Sequence, residues 1–242
     1  MNKTSIEWCD LTWNPVTGCK HGCPYCYARK IAERFIGSKA WPQGFKPTFH
    51  SERLNDPAKV KKPQTIFVCS MADLFGEWVL LEWVAKVFQS ECMGGHTFIH
   101  LTKNPSNMMR LFCQWQRRVP SEEESLLGMP YHWFGTTVTG TDDAYRIDQI
   151  RQFPHPHRFI SFEPLLSDPG NIDLTDIQQV IIGAQTNPYI PPPGDAVRRI
   201  VRAAYESGTK VFFKNSMSGV HWMGESHYVN THELCWKVNK PL

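Results

Sequence analysis

The chain has 242 residues, 41% of them hydrophobic and 20% charged, with a net charge of +3. That much apolar material builds a large core and excludes a disordered or collagen-like chain. Eight cysteines are too few for a disulfide scaffold, and no segment approaches the ~20 apolar residues of a membrane helix. The first seven residues carry no apolar signal core. A cytoplasmic protein with reduced thiols and no membrane partner is expected. The small positive charge permits a nucleic-acid partner without demanding one, because Lys59-Val60-Lys61-Lys62, Arg117-Arg118 and Arg198-Arg199 suit solvated faces equally well.

Taken along the chain, β-branched and aromatic runs predict strands over 13–17, 65–69, 96–101, 133–138, 158–161, 179–182 and 210–213. Apolar stripes predict helices between them. Tyr27, Ile31 and Phe35 mark the first, and Val79, Leu80, Trp83, Val84, Val87 and Phe88 the second. Met108, Leu111, Phe112 and Trp115 mark the third, behind an Asn104 cap and a Pro105 at the first helical position. Val197, Ile200, Val201 and Ala204 mark another, stopped near Gly208. Residues 41–63 read as an irregular insertion and 216–242 as a C-terminal extension.

Strands alternating with helices predict parallel pairing with right-handed crossovers. Six or seven such units suit an α/β fold of the partial (β/α)6-type TIM barrel, with a seventh strand and a short C-terminal extension. A doubly wound sheet is the alternative. One domain over 1–242, with its core at about 5–215, is expected. Polar residues follow or close nearly every strand: Ser70-Met71-Ala72-Asp73, Thr102-Lys103-Asn104, Thr136-Thr137-Val138-Thr139-Gly140, Phe162-Glu163-Pro164, Gly183-Ala184-Gln185-Thr186-Asn187 and Lys214-Asn215-Ser216. Ligands of such folds bind at the carboxyl ends of strands.

The strongest chemical signal is Thr17-Gly18-Cys19-Lys20-His21-Gly22-Cys23-Pro24-Tyr25-Cys26. Three thiolates in a C-x3-C-x2-C loop can each ligate one iron of a [4Fe–4S] cluster, leaving a fourth iron open. Gly18 and Gly22 allow the tight turns. Zinc competes, but a structural zinc site wants four ligands, and His21 sits too close to its neighbours to complete a tetrahedron. Cys9, Cys69, Cys92, Cys113 and Cys235 show no second cluster spacing and read as small buried hydrophobes.

This loop, with aromatic Tyr25 before its last cysteine, resembles the signature of the radical S-adenosylmethionine (radical SAM) superfamily. Ser5-Ile6-Glu7-Trp8, Thr12-Trp13-Asn14-Pro15, Ser70-Met71-Ala72-Asp73-Leu74-Phe75, Leu101-Thr102-Lys103-Asn104-Pro105 and Ser161-Phe162-Glu163-Pro164-Leu165-Leu166 are similar to a phage-associated branch of it. That branch has no general assigned substrate. More distantly the chain resembles spore photoproduct lyase. The likeness covers roughly positions 5–215. It weakens where Gly183-Ala184-Gln185-Thr186 and Lys214-Asn215-Ser216-Met217 replace the turns common in the branch.

The resemblance implies an enzyme in which Cys19, Cys23 and Cys26 hold a [4Fe–4S] cluster that binds S-adenosyl-L-methionine (SAM). It places Tyr25 against the adenine, and Ser70, Met71 and Asp73 near the SAM amino group. Thr102 and Lys103 reach its carboxylate or ribose, and Thr137 and Glu163 reach ribose hydroxyls or substrate. Cys69 could donate a hydrogen atom to a product radical. It further implies a one-electron reductant such as flavodoxin or ferredoxin, and favours a nucleobase or nucleic-acid substrate, ahead of a peptide or small metabolite. Two alternatives stand outside the superfamily. One is a non-catalytic metal-dependent nucleic-acid-binding module using basic loops with Trp41 and Phe45. The other is a hydrolytic or transferase barrel using Asp73 and Glu163.

Overall fold

The alternation of strands and helices is present in the computed structural model, which describes residues 1–92, 95–118, 131–218, 220 and 234–238. They fall into two compact units, Met1–His132 and Trp133–Leu242. Most of the expected C-terminal extension therefore lies outside the described residues.

The first unit carries β1 (Asn2–Lys3), β2 (Leu11–Trp13), β3 (Val16–Thr17), α1 (Tyr27–Arg34), β4 (Thr48–Phe49), β5 (Thr65–Val68), α2 (Leu81–Glu91), β6 (Thr97–Thr102) and α3 (Pro105–Gln116). Its strand row runs β1-β2-β5-β6. Only β1 is antiparallel; Leu11 pairs with Ile66 and Ile66 with Phe98 in parallel register. β3 and β4 form a separate antiparallel pair, Val16 opposite Phe49.

β7 (His132–Thr137) starts at the last residue of this unit and continues into the second, which adds α4 (Arg146–Arg151), β8 (Arg158–Phe162), β9 (Gln179–Ile182), β10 (Gln185–Thr186), β11 (Tyr189–Ile190), α5 (Gly194–Ser207), β12 (Lys210–Phe213) and α6 (Cys235–Val238). Here the row runs β7-β8-β9-β12, all parallel, beside the β10-β11 hairpin. The mostly parallel α/β class is as predicted. Within each unit the strand order follows the sequence without the reversal of a doubly wound sheet, and among the described residues neither unit closes a ring. β5, β7 and β9 are buried along their whole length, as strands covered on both faces must be.

Local chemistry explains most boundaries. Asn104 caps α3 by accepting the Asn107 N–H at 3.1 Å, with Pro105 at the first helical position, and Met108, Leu111, Phe112 and Trp115 are buried. α5 stops at Gly208, whose φ of 72° places it in the left-handed region that glycine tolerates.

Three expectations change. The stripe Tyr27, Ile31, Phe35 is not the buried face of α1: Tyr27 is 51% and Phe35 50% exposed, while Ala28 and Ala32 are buried. The inward face of α1 carries small side chains, and the aromatics stand on its exposed side. Residues 41–63 are not irregular throughout, since β4 pairs with β3, the Trp13 indole N–H donates to the Arg53 carbonyl at 2.8 Å, and Trp41, His50 and Pro57 are buried. A buried Trp41 packing on Phe45 is no platform for stacking bases. Of the five remaining cysteines only Cys9 and Cys69 are buried; Cys92 is exposed, and Cys113 and Cys235 are half-buried.

Candidate metal and cofactor site

The cysteine loop leaves β3 and is pinned at its start by two backbone hydrogen bonds. The Gly18 N–H donates to the Met71 carbonyl at 3.0 Å and the Cys19 N–H to the Phe45 carbonyl at 3.2 Å. Gly18 also bridges Ala72 in parallel fashion. Gly18 has φ 82° and Gly22 φ 74°, so both turns use the left-handed region foreseen from the glycines. A side chain at Gly18 would place its Cβ 2.3 Å from the Lys46 carbonyl oxygen. Cys19, Cys23 and Cys26 are half-buried. Burial pushes the Cys19 thiol up to about 12, against the pull of a backbone N–H from His21.

Asp73 organises the ends of β5 and β6 around this loop. Its carboxylate is 5% exposed and accepts from the Phe75 N–H at 3.0 Å, the Thr102 hydroxyl at 2.8 Å, the Lys103 N–H at 2.9 Å and His21 Nε2 at 2.7 Å. Burial alone would raise its pKa, but the bond from His21, its charge, and the donors of Lys103 and Thr102 outweigh burial and hold it below the usual carboxylate value. Those donors engage the lone pairs of both oxygens. His21 also meets the edge of Trp78, with ring centroids 4.9 Å apart.

Lys103 extends from the same turn, so that Nζ donates to the Tyr25 hydroxyl at 3.0 Å and lies 5.4 Å from its ring centre. Asn14 Oδ1 accepts from the Ser70 hydroxyl at 3.2 Å and the Met71 N–H at 2.9 Å. The Tyr27 hydroxyl donates to the Ser70 carbonyl at 2.7 Å. The first unit thus brings together Cys19, Cys23, Cys26, Tyr25, Ser70, Met71, Asp73, Thr102 and Lys103. Cys69 directly follows β5 with φ 58° and is 3% exposed, and burial raises its thiol pKa.

Two nominated residues belong to the second unit. Thr137 is buried at the end of β7, and its carbonyl accepts from Arg146 at 3.0 Å. Glu163 follows β8 and is ion-paired with Lys214, which follows β12. Gly183 makes room for that pair, since a Cβ there would lie 3.1 Å from Lys214 Cδ and 3.2 Å from Glu163 Cγ.

Zinc bound at about 2.3 Å by thiolates draws the sulfurs to about 3.8 Å from one another. Among the described residues, the metal-ligand group with all donor atoms within 4.8 Å is Glu91, His100 and His132, and the three cysteines form no such group. A [4Fe–4S] cluster gives each thiolate its own iron and takes sulfurs that stand further apart. Sequence reasoning missed His21 as the partner of Asp73, although His21 lies inside the cysteine loop. It also missed Glu91, His100 and His132, which carry no spacing signal.

A family model described as "Protein of unknown function (DUF5131)" matches residues 3–233. No curated protein and no solved structure matches the chain.

Proposed function

We propose that this chain, which belongs to the DUF5131 family, is a radical SAM enzyme whose Cys19, Cys23 and Cys26 hold a [4Fe–4S] cluster. The observation that carries this reading is the meeting, in one unit, of three half-buried thiols on a glycine-turned loop with the polar ends of β5 and β6. When bound, the cluster and SAM supply one-electron cleavage of the sulfonium and a radical that abstracts hydrogen from substrate.

The chain's own residues hold and orient. Asp73 fixes the cysteine loop through His21 and the β6 turn through Lys103 N–H, so its role is positioning. Lys103 presents an ammonium beside Tyr25, a pairing suited to a carboxylate lying against an aromatic face. Ser70 and Met71 stay aligned through Asn14. Sequential parallel strands support a partial (β/α)6-type barrel as the frame. The favoured substrate is a nucleobase or nucleic acid, and the electron comes from flavodoxin or ferredoxin in the cytoplasm. Among the described residues no helix is long and apolar enough to cross a membrane.

The test is anaerobic reconstitution with iron and sulfide, followed by SAM and dithionite. 5′-Deoxyadenosine should form in the wild type and fall to background in Cys23→Ala. Tight zinc at the three thiols with no 5′-deoxyadenosine overturns the reading. Deuterium transfer from labelled oligonucleotides, compared with peptides and metabolites, then identifies the substrate class.

A further inference from the structure

Away from the cysteine loop, the first unit contains a second ligand-bearing cluster. Glu91 closes α2, His100 lies within β6 and His132 opens β7. His100 Nε2 is 3.1 Å and His132 Nε2 3.0 Å from the same oxygen, Glu91 Oε2. The three residues are 1%, 1% and 5% exposed. The two imidazoles stack at 10°, with centroids 6.0 Å apart, and Phe75, Phe88 and Phe98 pack against them.

An ionised carboxylate in such a core is poorly accommodated by two neutral imidazoles. Two N–H donors on Oε2 leave a net negative charge among aromatic rings. They also leave Glu91 Oε1 buried with no hydrogen-bond partner, where buried polar atoms are otherwise satisfied. A divalent ion meets both needs, because it carries positive charge and takes lone pairs from nitrogen and from both oxygens. Two imidazoles with one carboxylate form a donor set that zinc uses. Ligands about 2.1 Å from one ion, at angles between octahedral and tetrahedral, stand about 3.0–3.4 Å apart. The two N···O separations fall in that range.

We propose that Glu91, His100 and His132 form a buried structural zinc site, distinct from the cysteine loop, that ties the end of α2 to β6 and the start of β7. Both carboxylate oxygens and the two Nε2 atoms supply four donors. The aromatic packing closes the site, so zinc enters as the chain folds rather than by exchange with solvent.

The experiment uses the full chain with Cys19, Cys23 and Cys26 all replaced by alanine, which removes the competing thiols. After expression with zinc and dialysis, elemental analysis should find about one zinc per chain, and Glu91→Gln on that background should retain less than about a tenth of it. Zinc-edge X-ray absorption on the Glu91-containing protein supplies a readout independent of whether Glu91→Gln folds. It should show an imidazole-rich nitrogen and oxygen shell without sulfur. Absence of stoichiometric zinc, or a sulfur-containing shell, overturns the proposal. 5′-Deoxyadenosine formation does not enter the readout, so the outcome is separate from that of the radical SAM reading.

Discussion

Asp73 is a buried anion made tolerable by neighbours that arrive from three places in the chain. Asp73→Asn keeps the volume but gives two of those donors an amide N–H2 to face instead of an oxygen. Each charge-assisted bond contributes about 1.5–3 kcal/mol and a disrupted buried pair costs more, so the loss should be about 3 kcal/mol in urea denaturation. The same variant should label faster at Cys19, Cys23 and Cys26 with a thiol reagent before iron is added, because His21 no longer anchors the loop. Equal labelling rates would show that the loop holds its shape without Asp73. His50 offers a pH-dependent counterpart, with Nε2 2.8 Å from the Thr17 hydroxyl. Burial and the nearby Arg53 keep its pKa below the ordinary value, against the pull of Glu52. The unfolded chain therefore takes up a proton near pH 6.5 that the folded chain refuses, and stability declines as pH falls from about 6.5 toward the lower folded value. His50→Asn should flatten that decline between about pH 7 and 5.5. An undiminished slope would place the acid sensitivity elsewhere.

The cysteine loop and α3 show how much an element owes to single backbone positions. Gly18 and Gly22 both have positive φ, but only Gly18 is walled in, by the Lys46 and Phe45 carbonyls. Gly22→Ala should cost about 1 kcal/mol for the left-handed conformation alone. Gly18→Ala adds a backbone clash and should cost at least twice as much, with parallel loss of iron loading. Thermal melts and iron analysis of the two variants make the comparison, and equal losses would show that the Lys46 wall yields. Asn104→Ala should remove about 1 kcal/mol from α3. The cap was legible because an N-cap is a local arrangement of four residues. The buried face of α1 was not, because Tyr27, Ile31 and Phe35 satisfy helical periodicity as well as Ala28 and Ala32 do. Hydrophobic spacing does not reveal which of two such faces packs inward.

For the whole chain, a metal that binds only the folded form adds stability by mass action. Zinc present while the metal-free protein refolds, at a hundred times its dissociation constant, should add about 2.7 kcal/mol to the global unfolding free energy. That gain should survive replacement of the three loop cysteines and vanish in Glu91→Gln. A gain that disappears with the cysteines would locate the zinc there. Net charge, at +3, contributes nothing decisive to this balance or to the choice of substrate.

By itself the sequence determined the α/β class, six of the seven predicted strands to within about one residue, the α3 cap, the α5 stop and the cysteine loop, while the predicted strand 13–17 runs together β2 and β3. Each rests on periodicity, propensity or spacing within a short window. Only the tertiary structure decided that Asp73 joins His21 across 52 residues, that His50 reaches Thr17 across 33 and that His132 reaches Glu91 across 41. The physical reason is common to all three. A polar side chain is buried only where another element brings it a partner, and that partner is set by parallel strand pairing and helix packing, which leave no mark on the spacing of the residues themselves.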